Sequence, residues 1–531
     1  MNNKIYTAII IVAVIISLST TLLFVAFRDR LMGTYTPEYE NGTIYDDPGP
    51  THNNGNNETA TPYEEETHTP TPEETPYPTY ETAPEPEQTP APTPIPLLTD
   101  RISWHIYPTW DFDQVFNFQG GMAGIEFFED GHWESMHILG YMNAYGEIVI
   151  PIEHRHYPAM YAYRGAPPFS EGLVAIHSND HSAVGVFDTM GNLVIPFYYT
   201  GGWMFTEGLM AVTSGGDWEQ TPDGDWVDTS RWGFIDHTGT LVIPMEFEEA
   251  GSFSEGLAPV MQGGYWGFIN TLGEVVIPFT IRPAYTEGHG LLIVPRFSEG
   301  LVAVSTGGVE QNEAGNWIDN TRWGFLDTEG NQAIPFMFTQ AESFSNGLAT
   351  VRVGGWGYGE DAIRWGAVDR EGNVVVPFDF EWLSPFREYA ATGWFANDDG
   401  GFQVIIDTCG NQIAPPGQFR EMRNFSEGYA PVTDGYNWET RSWGFIDSQG
   451  NIAIPLIFRS VGDFSQGFAP ATVGGWETTP DGRAVDNSRS GFIDTQGNIV
   501  VPLEFNEVRM FSEGFAWVRQ GDLWGLLRID E

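Results

Sequence analysis

From about residue 101 to the end, apolar positions come in short runs of about five residues, broken by Gly, Asp, Asn and Pro. Short runs with such punctuation predict strands joined by turns, not long helices. The stretch "FSEGLAPVMQGGYWGFINTLGEVVIPF" (253–279) holds one full cycle of the pattern. It predicts three strands: "GLAPV", "WGFIN" and "EVVIP". Within the second strand Trp266 and Phe268 fall on one face, Gly267 and Ile269 on the other. The connection to the third strand reads "DTEGN" or "DTQGN" in other cycles; Asp bonds its own backbone there and Gly takes the positive φ that follows. The Pro that ends the third strand removes a ladder donor and stops pairing.

The cycle recurs about ten times. Phe-Ser-Glu-Gly or a near form begins at Phe169, Phe205, Phe253, Phe297, Phe344, Phe386, Phe425, Phe464 and Phe511. Trp-Gly stands at Trp232, Trp266, Trp323, Trp365, Trp443 and Trp524. Markers in fixed order at this period predict an all-β repeat array of about ten three-stranded meander units. Two closures fit: an open solenoid or superhelix, and a ring of propeller blades. About ten units exceeds the usual four to eight blades, and three strands fall short of four, so the open array is the expectation. The first unit, "GYMNAYGEIVIPIEH", reads as a cap, and the seventh, "GFQVIIDTCGNQIAPP", has lost Trp-Gly.

These motifs resemble the WG-repeat family of bacterial proteins, with "RWGFIDHTGTLVIPMEF" and "SWGFIDSQGNIAIPLIF" as good instances. The resemblance covers about 120–531, with Arg or Tyr where the family usually has Lys before Trp-Gly. It implies an all-β repeat domain, often secreted or membrane-anchored, and no catalytic residue.

Three regions follow: an anchor (1–30), a linker (31–100) and the repeat domain (101–531). Ile5 to Phe27 is 23 residues without a charge, long enough to cross a bilayer core as a single helix. Residues 34–99 hold 13 Asp or Glu, no Lys or Arg, and repeated Thr and Pro. Such a stretch cannot bury enough apolar surface to offset its ordering entropy, so a disordered linker is expected, with a contour on the order of 200 Å. The expected location is the membrane, single-pass, with the C-terminal domain outside.

Charge narrows the partners. A net charge of -49 repels phosphate backbones, so no nucleic-acid partner is expected. One Cys, Cys409, excludes an internal disulfide and a site of several thiolates. "TPDGD" (221–225) lacks the ligand order of a calcium loop. His132, His137, His154, His156, His177 and His181 crowd the first two units, where packed or surface histidines are expected rather than a metal centre. No nucleophile or phosphate-loop motif is present, so no enzyme, cofactor, metal or catalytic residue is expected.

Insertions mark the candidate binding residues. They sit between the first and second expected strands of several units, at 215–233, 307–324, 354–366, 434–444 and 474–491. They carry Trp218, Trp226, Trp317, Trp356, Trp438 and Trp476 among Asp, Asn and Gly. Such loops suit stacking on sugars or burial of a partner's side chains. The competing reading is that the tryptophans fold back on the array, with Arg231, Arg322 and Arg364 in cation–π contacts. The expected role is a binding scaffold for a protein or an envelope polysaccharide. A spacer without a ligand and a hydrolase of envelope polysaccharide are the alternatives.

Overall fold

A computed structural model describes residues 95–530, apart from 98, 129–136, 157–165, 180, 217, 221–225, 286–291, 312–316, 355–362, 396–400 and 436–440. The expected anchor and nearly all of the expected linker lie outside these residues. Among the described residues no helix is long and apolar enough to cross a membrane. They belong to one compact unit, Pro86–Glu531.

Among the described residues this unit contains ten antiparallel sheets of three or four strands, numbered here 1 to 10 along the chain. Sheet 4 is typical: Glu249–Ala250, Leu257–Gln262, Tyr265–Asn270 and Val275–Ile281, paired in that order. The three expected strands are its second to fourth. The sequence reading missed the short first strand, because two residues carry no periodicity.

The array is closed, not open. Ile102–Trp110, the first strand among the described residues, pairs antiparallel with Leu523–Ile529, the last of them. It fills the fourth-strand place of sheet 10. Ten hydrophobic clusters lie between the sheets, each drawing on two neighbours. An open stack of ten sheets has only nine interfaces. The tenth joins sheet 10 to sheet 1 through Trp517, Trp524 and Leu526 packed on Val115, Phe118 and Ile125. Trp517 and Trp524 also donate their indole N–H to Phe116 and Phe112 carbonyls, both at 2.9 Å. Closure overturns the open-solenoid expectation and the reading of the first unit as a cap. An end repeat would leave an apolar sheet face in water, and joining the two ends buries both.

The Trp-Gly glycine has a specific cause. Trp266 pairs with Ile281 and Phe268 with Ile277, so the fourth strand bulges by extra residues there. The bulge lays a carbonyl over the third strand. A Cβ on Gly267 would stand 2.8 Å from the Ile277 oxygen; on Gly444 it would stand 2.4 Å from that of Ile454. Sheet 7 proves the rule by exception. Its fourth strand is absent, as the chain leaves through Pro415-Pro416, and Val404 takes the glycine's place, fully buried. Gln403 replaces the Trp, and its side-chain amide exchanges two hydrogen bonds with Met422 backbone at 2.7 and 2.8 Å.

Phe-Ser-Glu-Gly is a staple between sheets. Ser254 and Leu257 exchange backbone hydrogen bonds around Glu255 and Gly256, both at positive φ, which makes a two-residue hairpin inside sheet 4. The Glu255 carboxylate accepts the Gly300 N–H of sheet 5 at 2.8 Å, and Ser254 Oγ donates to the Phe297 carbonyl at 2.9 Å. At the closure Glu513 accepts the Gly120 and Gly121 N–H groups, each at 2.7 Å, and Ser512 donates to Phe118. A left-handed Glu costs about 1–2 kcal/mol. Its bonds to the next sheet offset that cost, which explains Glu where Asn would be the local optimum.

Candidate functional site

Successive turns of a meander alternate between the two ends of its sheet. One end of the ring therefore carries the Ser-Glu-Gly and Asp-x-x-Gly turns. In the second kind, Asp327 Oδ1 accepts the N–H groups of Glu329 and Asn331, and Gly330 has φ 83°. The Asn331 side-chain amide, at 3.1 Å, leads the bonds that hold the Asp327 carboxyl below its ordinary pKa. The Gly330 Cα faces Ile277 of the preceding sheet, 3.2 Å from where a Cβ would stand, so this turn also packs sheet on sheet.

The other end carries the second-to-third strand connections, hence all the insertions. Three form two-stranded hairpins: Trp218–Gln220 with Trp226–Asp228, Val309–Gln311 with Trp317–Asp319, and Trp476–Thr478 with Ala484–Asp486. They belong to sheets 3, 5 and 9, and their registers coincide. Trp218, Val309 and Trp476 stand opposite Asp228, Asp319 and Asp486; Gln220, Gln311 and Thr478 stand opposite Trp226, Trp317 and Ala484.

The bases of the hairpins in sheets 5 and 9 are also alike. Asn320 N–H donates to the Gly308 carbonyl and Asn487 N–H to that of Gly475, both at 2.9 Å. A Cβ on Gly307 or Gly474 would collide with the Asn320 or Asn487 carbonyl, at 2.2 and 2.4 Å. In the hairpin of sheet 9 every strand residue is exposed, and Trp476 keeps 59% of its surface in water. Glu477 accepts the Asn487 amide at 2.9 Å. The Ser488 side-chain and backbone bonds hold the Asp486 carboxyl below its ordinary pKa. Trp476 thus does not fold back on the array. Trp218, Trp226 and Trp317 are placed by backbone register, while Trp356 and Trp438 lie outside the described residues.

Arg231, Arg322 and Arg364 each donate Nη1 to the preceding residue's carbonyl at 2.7 Å. The guanidinium groups seen over repeat tryptophans include those of other positions: Arg352 over Trp365, Arg423 and Arg441 over Trp443, Arg509 and Arg519 over Trp524. Four of these five contacts were not legible in sequence, because Arg352, Arg423, Arg509 and Arg519 come from another part of the sheet; Arg441 stands two residues before its Trp.

Two of the histidines in the first two units, His137 and His154, are packed. His137 Nδ1 meets Glu126 Oε2 at 2.9 Å in a buried pair, and His154 lies against Phe187. Burial lowers the His154 pKa, against the pull of Glu153. Burial also lowers that of His177, with His181 adding to the effect. Among the described residues no group of three or more His, Cys, Asp or Glu could hold a metal. His132 and the 221–225 segment lie outside them.

Fold and site together define a class: a closed all-β ring resembling a ten-bladed β-propeller, with decorated loops at one end. The chain belongs to the WG-repeat family. The family pattern described as "WG containing repeat" matches at 185–218, 232–266, 266–281, 323–355, 365–389, 405–438, 443–475 and 491–524. No curated protein matches the chain. Among solved structures, dipeptidyl peptidase 4 of Porphyromonas gingivalis is similar at 11% identity and TM-score 0.34, over 67% of this chain and 62% of that one. The tricorn protease is similar at 12% identity and TM-score 0.24, over 77% and 56%. The chain therefore spans less than two thirds of the length of either. Similarities this loose carry no assignment, and closure rests on the strand pairing.

Proposed function

We propose that this WG-repeat protein is a non-enzymatic binding scaffold, tethered to a membrane by Ile5–Phe27 and held at the cell surface on its acidic Thr/Pro-rich linker. The observation that carries the binding role is the placement of the insertions. All occupy one slot of the repeat and so one end of the ring, and Trp476 among them stands exposed. An indole held in water on a braced hairpin offers a flat surface on which a sugar ring or a partner's side chain can stack. The high negative charge disfavours nucleic acid. Partners of this scaffold are a protein or an envelope polysaccharide.

The test is sedimentation of the full chain, in mild detergent, with isolated cell envelopes. A variant with Trp218, Trp226, Trp317, Trp356, Trp438 and Trp476 all changed to Ala is run beside it. Retention of the wild type and its loss in the variant support the scaffold. Equal behaviour of the two, in either direction, favours a spacer. Release of sugar from the envelopes, abolished by one Asp or Glu substitution, favours a hydrolase.

A further inference from the structure

We infer that sheets 1 to 4 carry a second docking surface, at the end of the ring away from the insertions, for a protein segment whose apolar strip is bordered by Lys or Arg. It shares no residue with the insertions and so goes beyond the scaffold reading.

The repeat supplies its own control. In the Asp-x-x-Gly turns and their Asn forms, the residue before Gly donates its backbone N–H to the leading side chain, at 2.9 Å for Met190 and 3.0 Å for Leu272. The turn therefore sets no apolar requirement on that residue. In sheets 5, 6, 8 and 9 the place holds Glu329, Glu371, Gln449 and Gln496. In sheets 1, 2 and 4 it holds Tyr145, Met190 and Leu272, which keep 79%, 73% and 76% of their surface in water. The start of the fourth strand follows the same division. Sheets 2, 3 and 4 each expose an aliphatic pair there, Leu193-Val194, Leu241-Val242 and Val275-Val276, and sheet 1 exposes Ile148. Sheets 6, 8 and 9 expose one large aliphatic residue each, and sheet 5 none.

The turns abut. A Cβ on Gly191 would stand 2.1 Å from the Val149 oxygen of sheet 1, on Gly239 3.3 Å from Ile195 of sheet 2, and on Gly273 3.4 Å from Ile243 of sheet 3. The apolar residues thus form one arc, with on the order of 900 Å² in water. A monomer rarely exposes more than a few hundred, and one partner of a standard interface buries about 800 Å².

Charge selects the occupant. Glu147 and Glu274 stand within the arc, and Glu171, Glu207 and Glu255 in the neighbouring Ser-Glu-Gly turns, all exposed. Glu171 lies 2.7 Å from His237 of the sheet 3 turn, so the two rows of turns touch. Between residues 112 and 281 the only Lys or Arg are Arg155, Arg164 and Arg231. Arg155 and Arg231 stand at the insertion ends of their strands, and Arg164 lies outside the described residues. A second copy would set carboxylates against carboxylates, and an anionic lipid surface is repelled in the same way. A strip of apolar side chains bordered by Lys or Arg meets both the arc and its rim. Pro151, Pro196, Pro244 and Pro278 remove donors from the fourth strands, so the partner docks by side chains rather than by adding a strand. Packed sheets lie about 10 Å apart, so four turns span about 30 Å, the length of a helix of about 20 residues.

The test uses the full chain in phosphatidylcholine nanodiscs. An environment-sensitive dye is attached at Thr238→Cys, in the middle of the arc, with Cys409→Ser; a second preparation carries it at the native Cys409, which holds the same turn place in sheet 7. Three amphipathic helical peptides of about 20 residues are titrated, built of Leu with Lys, Leu with Glu, and Ser with Lys. The Leu/Lys peptide should saturate the signal at position 238 and leave Cys409 silent, and the other two should bind at least about tenfold more weakly. Met190→Gln with Leu272→Gln, which installs the residue sheets 8 and 9 carry, should weaken the Leu/Lys peptide about tenfold at unchanged net charge. Wild-type affinity in that double variant overturns the inference. So does equal binding of either control peptide, or an equal response at Cys409. A signal at position 238 produced without peptide, by raising the chain concentration or by adding phosphatidylcholine vesicles, overturns it in favour of a second copy or a lipid surface. The insertions are untouched throughout, so each of these failures leaves the scaffold reading standing.

Discussion

Substituting Gly444 and Gly428 by Ala separates two uses of glycine in one sheet. Gly444, of Trp-Gly, has an ordinary φ and no space: a Cβ would lie 2.4 Å from the Ile454 oxygen and 2.7 Å from Pro455 carbonyl atoms. Those atoms are backbone, and Trp443, Phe445 and Ile446 around them are fully buried, so nothing flexible can step aside. Overpacking of this kind costs about 1–3 kcal/mol and more where the backbone must move, so about 3 kcal/mol is expected. Gly428 is the reverse case, with φ 81° and nothing within 4 Å of its Cβ position. Ala there pays only the left-handed strain of about 1–2 kcal/mol, less about 0.5 kcal/mol regained by stiffening the unfolded chain. Urea unfolding followed by Trp fluorescence ranks the two. Gly444→Ala should unfold clearly first. If it unfolds no earlier than Gly428→Ala, the bulge carbonyl is not what demands Trp-Gly. Val404 supplies the converse: with no strand over it, Val404→Gly should cost about 2 kcal/mol or more through a cavity.

The closing strand should behave as a latch. Ile102→Ala, at a site only 2% exposed, is expected to cost about 2–5 kcal/mol, and deleting 95–110 should uncover Phe505 and Leu527, read as dye binding and a broadened urea transition. Glu513→Ala removes two exposed hydrogen bonds across the junction of sheets 10 and 1 and should cost about 1 kcal/mol, measured as a fall in Tm. The Asp327 carboxyl is held below its usual 3.8, so its contribution is complete above that pH and disappears as pH falls through and below it. Asp327→Asn should therefore lower Tm at pH 7, with an effect that shrinks progressively as pH falls below 3.8. His154 and His177 have pKa values depressed by burial, so sheets 1 and 2 should lose stability as pH falls below 6.5, seen as faster amide exchange there at pH 5.5 than at pH 7.

The local rules of this protein stand in its sequence. Alternation along "WGFID" assigns Trp266 and Phe268 to one sheet interface and Ile269 to the next, and the clusters divide that way. Asp-x-x-Gly-Asn turns carry their own hydrogen-bonding program, so their geometry needs no neighbour. The insertion slot is equally plain, since the repeat on either side frames it. Three things lay beyond reach of the sequence. The two-residue first strand that nine of the ten sheets carry is too short to show a period. The Glu of Ser-Glu-Gly looks like an ordinary turn residue, because its partner lies in the next sheet. Above all, "ISWHIYPTW" bears little likeness to the "NIVIP" strands, yet it completes the last sheet. Open and closed arrays need the same residues in every repeat. Only the twist accumulated over ten packed sheets decides whether the ends meet, and once they meet, burying both end faces makes the ring the lower free energy.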